Sequence, residues 1–574
     1  MESFRNCALV LSIVISVGQS YSQNPGDPGT LLKYSQYEVY YNVEQNLIEV
    51  GDLNDDLNNE IIILAIDTLI IIDSSSIHYI PAFNPQPTNI GAASLRYSDC
   101  TNKRIISVSQ DFPTTHWSYY YPETNHFEYG NFQRYQQYYF APDPNCNIWS
   151  VNSVDNDSFN LYGIFTSSEI FEEGTLITLL GENDSLFTYA GGIGFPTVIY
   201  VSKNSSFIST VLVRDNIFTS GNPHGIYHYY STNQGNNWQG EIILRGNMDE
   251  PVWGQITNRN LAPHLKNYSM LSGALDSVGV MHMALWGLGK TIEGIDTIET
   301  STILYWNSRD KNWIAITDPA YEKMYDGAGN PLGQYTPGFA YGQSLPTISV
   351  SENGQIVLIA WSVPEYTGEP GVSSLNIYPG DGGAFSTPVY YTDYLANISY
   401  DGGQTWSPDN IFPLKNRQNI LETFLSLNKK INYDDITGKI RADYFYIVDE
   451  IPGLSYWGQN SPSDSNVWYY DSLVLFTTPV HNDLISVYDY SLSQNYPNPF
   501  NPVTKINYSL AHYGKITIKV FDILGREIST LINEEKPAGN HTVEFNASYL
   551  ASGVYIYRLQ SGDYISSKML LLLK

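Results

Sequence analysis

The sequence predicts an all-β chain: a six- or seven-bladed β-propeller followed by a small C-terminal Ig-like β-sandwich. Three observations predict it. Tyr numbers 47 and Phe 22, in a chain rich in Ile, Val and Thr, the residues that fit a pleated, half-buried surface. Through residues 35–480 a polar or acidic turn followed by an alternating apolar strand recurs at about 60–80 residues, the period of one blade. Residues 491–574 break from that pattern in charge, with eight Lys and Arg against six Asp and Glu, so that the rest carries −31 of the formal −29.

At 574 residues the chain exceeds what one hydrophobic core supports, and two or three domains are expected. With 42% apolar and 15% charged residues it is a folded chain. So acidic a surface repels phosphate backbones, which excludes nucleic acid as a partner and leaves divalent cations and neutral glycans.

Residues 1–22 read as a signal peptide, with Arg5, an apolar run from Cys7 to Val17, and small residues at Ser20 and Ser22 before the cut. The run is too short to span a bilayer, and no later stretch is apolar enough for a transmembrane helix. Residues 23–34 read as a flexible N-terminus. The mature chain keeps two cysteines, Cys100 and Cys146, which fit either one disulfide in an oxidising compartment or two buried thiols.

Within 35–480 seven hairpin starts stand out: near Asn54 and Asn102, then Asp143 to Trp149, Lys203 to Phe207, Asp276 to Trp286, Glu352 to Trp361, and Asp434 to Val448. The first runs Gly51-Asp52-Leu-Asn54-Asp-Asp56-Leu-Asn58-Asn-Glu60 before an apolar strand, and resembles the FG-GAP calcium loop. Oxygen-bearing Asp52, Asn54, Asp56, Asn58 and Glu60 could wrap a hard cation, although Leu57 stands where that loop has Gly. The alternatives are structural calcium and an ordinary solvated acidic turn.

Ser399-Tyr-Asp401-Gly-Gly403-Gln-Thr405-Trp406 resembles the Asp-box (BNR repeat) turn of sialidase-like propellers. Ser231 to Trp238 is a degenerate copy with Asn233 for Asp, and Trp306 to Trp313 a third without its Gly. In such a turn the acid accepts backbone donors, Gly takes positive φ and Trp buries its ring, so Asp401 reads first as turn structure.

Catalysis on this scaffold, as the sialidase resemblance implies it, needs three arginines and a Tyr–Glu pair, and no local motif marks them among Arg96, Arg104, Arg134, Arg214, Arg245, Arg259, Arg309, Arg417 and Arg441. A generic glycosidase needs two carboxylates, for which Asp249, Glu250 and Glu365 are available without distinction. His224, His228 and His282 show no metal spacing. Aromatic runs such as Trp117 to Tyr121 and Tyr227 to Tyr230 suit blade cores first and sugar platforms second.

Residues 481–490 read as a linker. The segment 491–574 then opens on Tyr496-Pro497-Asn498-Pro499-Phe500-Asn-Pro502 and continues as alternating strands with turns at Gly525-Arg526, Ala538-Gly539 and Gly553-Val-Tyr555, closing on Lys568 to Lys574. It resembles the C-terminal sorting domain of the type IX secretion system of Bacteroidetes-like bacteria. The resemblance implies export across the outer membrane by that machinery, frequent removal of the domain, and a cell-surface or extracellular destination. For the middle region the expected role is binding of glycans or surface proteins. A sialidase-like or other glycoside hydrolase or lyase is the alternative, and a structural or adhesion protein the third.

Overall fold

The computed structural model describes residues 29–476 and 491–573, apart from 36–46, 55–58, 66–67, 85–91, 101–102, 112–113, 134–138, 154–161, 168–174, 181–192, 203–206, 215–224, 246–251, 265–270, 294–295, 320–321, 323–342, 366–376, 379–388, 418, 436, 450–465, 511–513, 537–538 and 562–563. The signal peptide and linker expectations lie outside the described residues, as do Arg134, His224, Asp249 and Glu250. The chain divides into two units, residues 1–477 and 478–574.

Among the described residues of the first unit, antiparallel strands in sequence order form seven blades. Blade 1 is built from Ile48–Gly51, Glu60–Ala65, Thr68–Ile72 and Ile77–Pro81. Blade 2 runs from Ala92–Ser98 to His126–Gln133, blade 3 from Tyr139–Pro142 to Thr175–Leu180, and blade 4 from Ile193–Val201 to Gln239–Arg245. Blade 5 splits its inner strand into Leu261–His264 and Leu271–Leu275, both paired with Met281–Glu293. Blade 6 comprises Ser344–Ser351, Val357–Pro364, Thr392–Ser399 and Phe412–Lys415. Blade 7 takes Leu421–Leu427, Lys439–Asp449 and Asn466–Phe476 from the end of the unit, and its outer strand, Thr30–Ser35, from the beginning.

That last pairing closes the ring. Thr30 to Ser35 lies antiparallel to Tyr470 to Asn466, so the segment expected as a flexible lead is a strand from Thr30 onward. The reason is local: Leu32 is buried, and the Gly29 amide donates to the Tyr446 hydroxyl at 3.2 Å. A shared core then joins the ends, with Phe445, Ile447, Trp468 and Tyr470 of blade 7 packed with Ile61 to Ala65 of blade 1. Between the other blades the packing is aromatic and aliphatic, as in the cluster of Trp286, Tyr305, Ile348, Val357 and Trp361 between blades 5 and 6.

Antiparallel alternation gives the ring two unlike faces. Connections from inner to second and from third to outer strand fall on one, here the turn face. Those from second to third, and from one blade to the next, fall on the other, the loop face. All seven hairpin starts read from the sequence are inner-to-second turns on the turn face, although Asn102 and residues 203–206 themselves lie outside the described residues.

The second unit is a seven-stranded sandwich. Sheets of three strands (Ser491–Leu492, Val503–Leu510, Gly539–Asn546) and four (Gly514–Phe521, Glu527–Lys536, Gly553–Ser561, Tyr564–Leu572) enclose Ile506, Tyr508, Ile518, Val520, Phe545, Tyr557 and Leu572.

Candidate functional site

On the turn face, acidic side chains hold backbone. The Asp143 carboxylate accepts from the amides of Asn145 (2.8 Å) and Asn147 (2.9 Å) and from the Trp149 indole (3.1 Å). Asp276 does the same in blade 5 for Val278 (3.0 Å) and Val280 (2.7 Å). Two third-to-outer turns repeat one hydrogen-bond set. In blade 6, Asp401 accepts from the Ser399 hydroxyl (2.7 Å) and the Thr405 amide (3.0 Å), Gly403 N donates to Ser399 Oγ (2.9 Å), and the Trp406 indole donates to Gly403 O (3.1 Å). In blade 4, Asn233 takes the place of the acid, with Ser231 (3.0 Å), Asn237 (2.9 Å) and Trp238 in the matching roles. Trp306 to Trp313 occupies the same position in blade 5 but is organised by Asn307, which accepts from the amides of Arg309 (3.1 Å) and Asp310 (2.8 Å). Each of these groups binds backbone of its own turn, and Asp276 also approaches His282 (3.5 Å).

Glu60 accepts from the Leu53 amide at 2.8 Å and the Asn54 side chain at 3.3 Å, so both its oxygens serve the turn itself. Asp56 and Asn58 lie outside the described residues, and among the described ones no three His, Cys, Asp or Glu side chains are arranged to hold a metal. Cys100 and Cys146 form a disulfide, Cα to Cα 5.4 Å, stapling the inner-to-second turns of blades 2 and 3.

The described arginines are dispersed. Arg104 donates to Cys146 O in blade 3, Arg259 pairs with Glu322, Arg309 donates to Gly402 O, and Arg441 grips Asp443 and Tyr470. They form no three-arginine cluster. His228 is buried against Ser209 Oγ (2.8 Å), and burial lowers its proton affinity; His282 is buried against the Tyr305 hydroxyl (2.7 Å).

The chemistry gathers on the loop-face side of the seam between blades 6 and 7. Glu365 directly follows the second strand of blade 6, Asp393 is the second residue of its third, and Glu422 the second of the inner strand of blade 7; all three are buried. The backbone brings them together. Glu365 N donates to Tyr391 O (2.8 Å), Thr392 pairs in parallel with Leu421, and the Thr392 hydroxyl donates to Glu422 O (2.6 Å). Arg417 Nε donates to Glu422 Oε1 (3.1 Å), and Asn419 N to Glu365 Oε2 (3.1 Å). Lys415 is taken by Asp471, which also accepts from the Tyr444 hydroxyl (3.2 Å).

Burial raises the Glu422 carboxyl to about 7 despite the opposing pull of Arg417 and Lys415. Asp393 is raised well above the usual range, first by burial and then by Glu422 and Glu365. Sequence reasoning reached Glu365 and Arg417 only as members of long inventories and missed Asp393 and Glu422. The available signal was an acid inside an apolar strand run, as in Thr392-Asp-Tyr-Leu-Ala and Leu421-Glu-Thr-Phe-Leu.

In the second unit the Pro-Asn-Pro-Phe segment clamps the last strand. Asn498 Oδ1 accepts from Leu571 N (2.8 Å), Phe500 N donates to Leu571 O (2.9 Å), and Phe500 is buried against Phe545. Asp522 holds the Gly525-Arg526 turn through Leu524 N and Arg526 N (both 2.9 Å), and the Tyr555 hydroxyl donates to Ala551 O (2.9 Å). Lys568 is exposed on the strand that follows Gly553–Ser561.

Residues 494–572 match the family described as the secretion system C-terminal sorting domain. The tail is a type IX sorting domain, and the protein is exported to the cell surface or the extracellular space. No described helix is long and apolar enough to cross a membrane. The sequence matches no curated protein. Similar solved structures include a polysaccharide lyase of family PL25, an ulvan lyase (10% identity, 75% of this chain and 93% of that one, TM-score 0.36). Others are the GH93 α-L-arabinofuranosidase of Fusarium graminearum (10%, 72% and 93%, TM-score 0.30) and the WD40 domain of SCAP from fission yeast (10%, 85% and 95%, TM-score 0.30).

Proposed function

We propose that this exported propeller is a binding module, receiving an extracellular glycan or a surface protein on its loop face. One observation supports the reading above the rest: the two faces divide labour. Turn-face connections are short and pinned by Asp143, Asp276, Asp401 and Asn233, whereas the long ones, 316–343, 365–391 and 450–465, all leave from the loop face. Rigid strands carrying long connections at one end is how scaffolds present recognition surfaces.

A second reading, a glycoside hydrolase or lyase, draws on Glu422, a carboxyl held near pH 7 in its proton affinity, which is what a general acid requires. Burial of the side chain argues for binding first. The experiment incubates the exported protein with a panel of neutral, acidic and sialylated polysaccharides, recording retention and released sugar together. Retention without release is expected. Release that disappears in Glu422→Gln would replace binding by hydrolysis, and neither retention nor release from any glycan would leave a protein partner, sought by cross-linking at the cell surface.

A further inference from the structure

The seam between blades 6 and 7 buries three carboxyls, two of which, Asp393 and Glu422, have an oxygen without a hydrogen-bond partner. Glu365, Asp393 and Glu422 are 7%, 3% and 0% exposed. Toward them, among the described residues, blade 6 contributes Tyr394, Lys415 and Arg417, and blade 7 contributes Tyr444, Tyr446, Tyr469 and Asp471. Lys415 is engaged with Asp471, and the Tyr394 hydroxyl accepts from Leu425 N (3.1 Å). Arg417, stacked on Tyr469, pairs with Glu422, on which Lys415 also pulls. Asp393 Oδ1, Glu422 Oε2 and Arg417 Nη2 find no hydrogen-bond partner in the protein. Two ionised carboxylates side by side in a buried seam, each with an oxygen that no donor reaches, is an unfavourable arrangement. A proton on Glu422 or Asp393 removes the repulsion and turns an orphaned acceptor into a donor.

We propose that this seam is a proton-operated latch, closed while Glu422 and Asp393 carry protons and loosened when they lose them. The proposal is independent of what the loop face binds. The latch is well placed to be felt. Glu365 and Thr392–Asp393 are the two feet of the long connection 365–391, and Glu422 opens the blade that completes the ring.

The direction follows from the raised proton affinities. Both carboxyls hold protons more tightly in the folded seam than in the unfolded chain. Their stabilising contribution is therefore full below the ordinary carboxylate range and is lost as pH rises through about 7 for Glu422 and higher for Asp393. His228 in blade 4 works oppositely, because burial lowers its proton affinity and its contribution is lost as pH falls. The comparison that isolates the seam is thus between variants.

Thermal unfolding of the full protein and of Glu422→Gln is followed from pH 5 to 8.5. The melting temperature of the variant, relative to the unmodified protein, is expected to rise by several degrees across this range. A difference that stays constant overturns the latch. Amide exchange in the unmodified protein gives a second readout that needs no variant. After correction for intrinsic rates, Leu421–Leu427 is expected to lose protection between pH 5.5 and 8, at least threefold relative to Ala92–Ser98 in blade 2. An unchanged ratio of the two strands overturns the proposal equally.

Discussion

Gly403 shows how a single atom can be decisive. It lies at φ +84°, and a Cβ there would sit 2.0 Å from the Tyr305 hydroxyl of blade 5. Gly254 has nearly the same backbone, φ +81°, with nothing within 4 Å. Alanine at Gly254 is expected to cost about 1 kcal/mol, the left-handed penalty alone, and at Gly403 roughly 3 kcal/mol, because a buried hydroxyl must also move. Denaturant titration of both variants checks the gap. Asp401 invites a companion experiment. Since Asn233 performs the same bonding in blade 4, Asp401→Asn is expected to stay within about 0.5 kcal/mol of the parent, and Asp401→Ala to lose about 1–2 kcal/mol. Glu60, which accepts from the Leu53 amide and the Asn54 side chain, gives a third: the melting temperature is expected to be the same with and without EDTA. A chelator-induced drop would restore the calcium reading of Asp52 to Glu60.

At the level of elements, the recurrent acidic turn was legible because one physical need, carboxylate or amide oxygens for turn amides, is written locally in each blade. What was not legible was partnership at a distance. The sequence left Cys100 and Cys146 open between bridge and thiols; the structure stacks their turns on adjacent blades and joins them. Cross-linking across 46 residues of separation restrains the unfolded chain, so Cys100→Ser with Cys146→Ser is expected to cost about 2–4 kcal/mol in denaturant unfolding. Thr30 to Tyr34 was read as part of a flexible lead because a few residues without a turn motif say nothing local about a partner more than four hundred positions away. The seam carboxylates were hidden for the same reason. Glu365, Asp393 and Glu422 are ordinary acids in sequence, and only the meeting of three strand ends makes them a cluster.

For the molecule as a whole, composition spoke clearly about destination and poorly about task. The sorting domain differs from the propeller in charge, +2 against −31 for the rest of the chain, and carries its own motif. The recognition surface we propose, by contrast, would rest on long loop-face connections without a local pattern. The acidic propeller has a measurable global consequence. Self-repulsion at low ionic strength opposes the compact ring, so raising salt from about 10 mM to about 200 mM, which shortens the screening length from roughly 30 Å to below 10 Å, is expected to raise its melting temperature. Calorimetry in sodium chloride reads the effect directly, and a flat response would mean that local ion pairs such as Lys415–Asp471 and Arg259–Glu322 already balance the field.

The docking of Thr30–Ser35 also bears on mechanical load. Were the propeller held through its C-terminal side, tension would reach it along the strand Asn466–Phe476. Were that strand an edge, tension would peel it off one hydrogen bond at a time. Instead it is gripped on both flanks, by Lys439–Asp449 and by the strand from the opposite end of the propeller. Tension entering there is shared at once by blade 7 and, through Trp468 and Tyr470 in the common core, by blade 1. The joint that completes the circle thus leaves Asn466–Phe476 with no free edge.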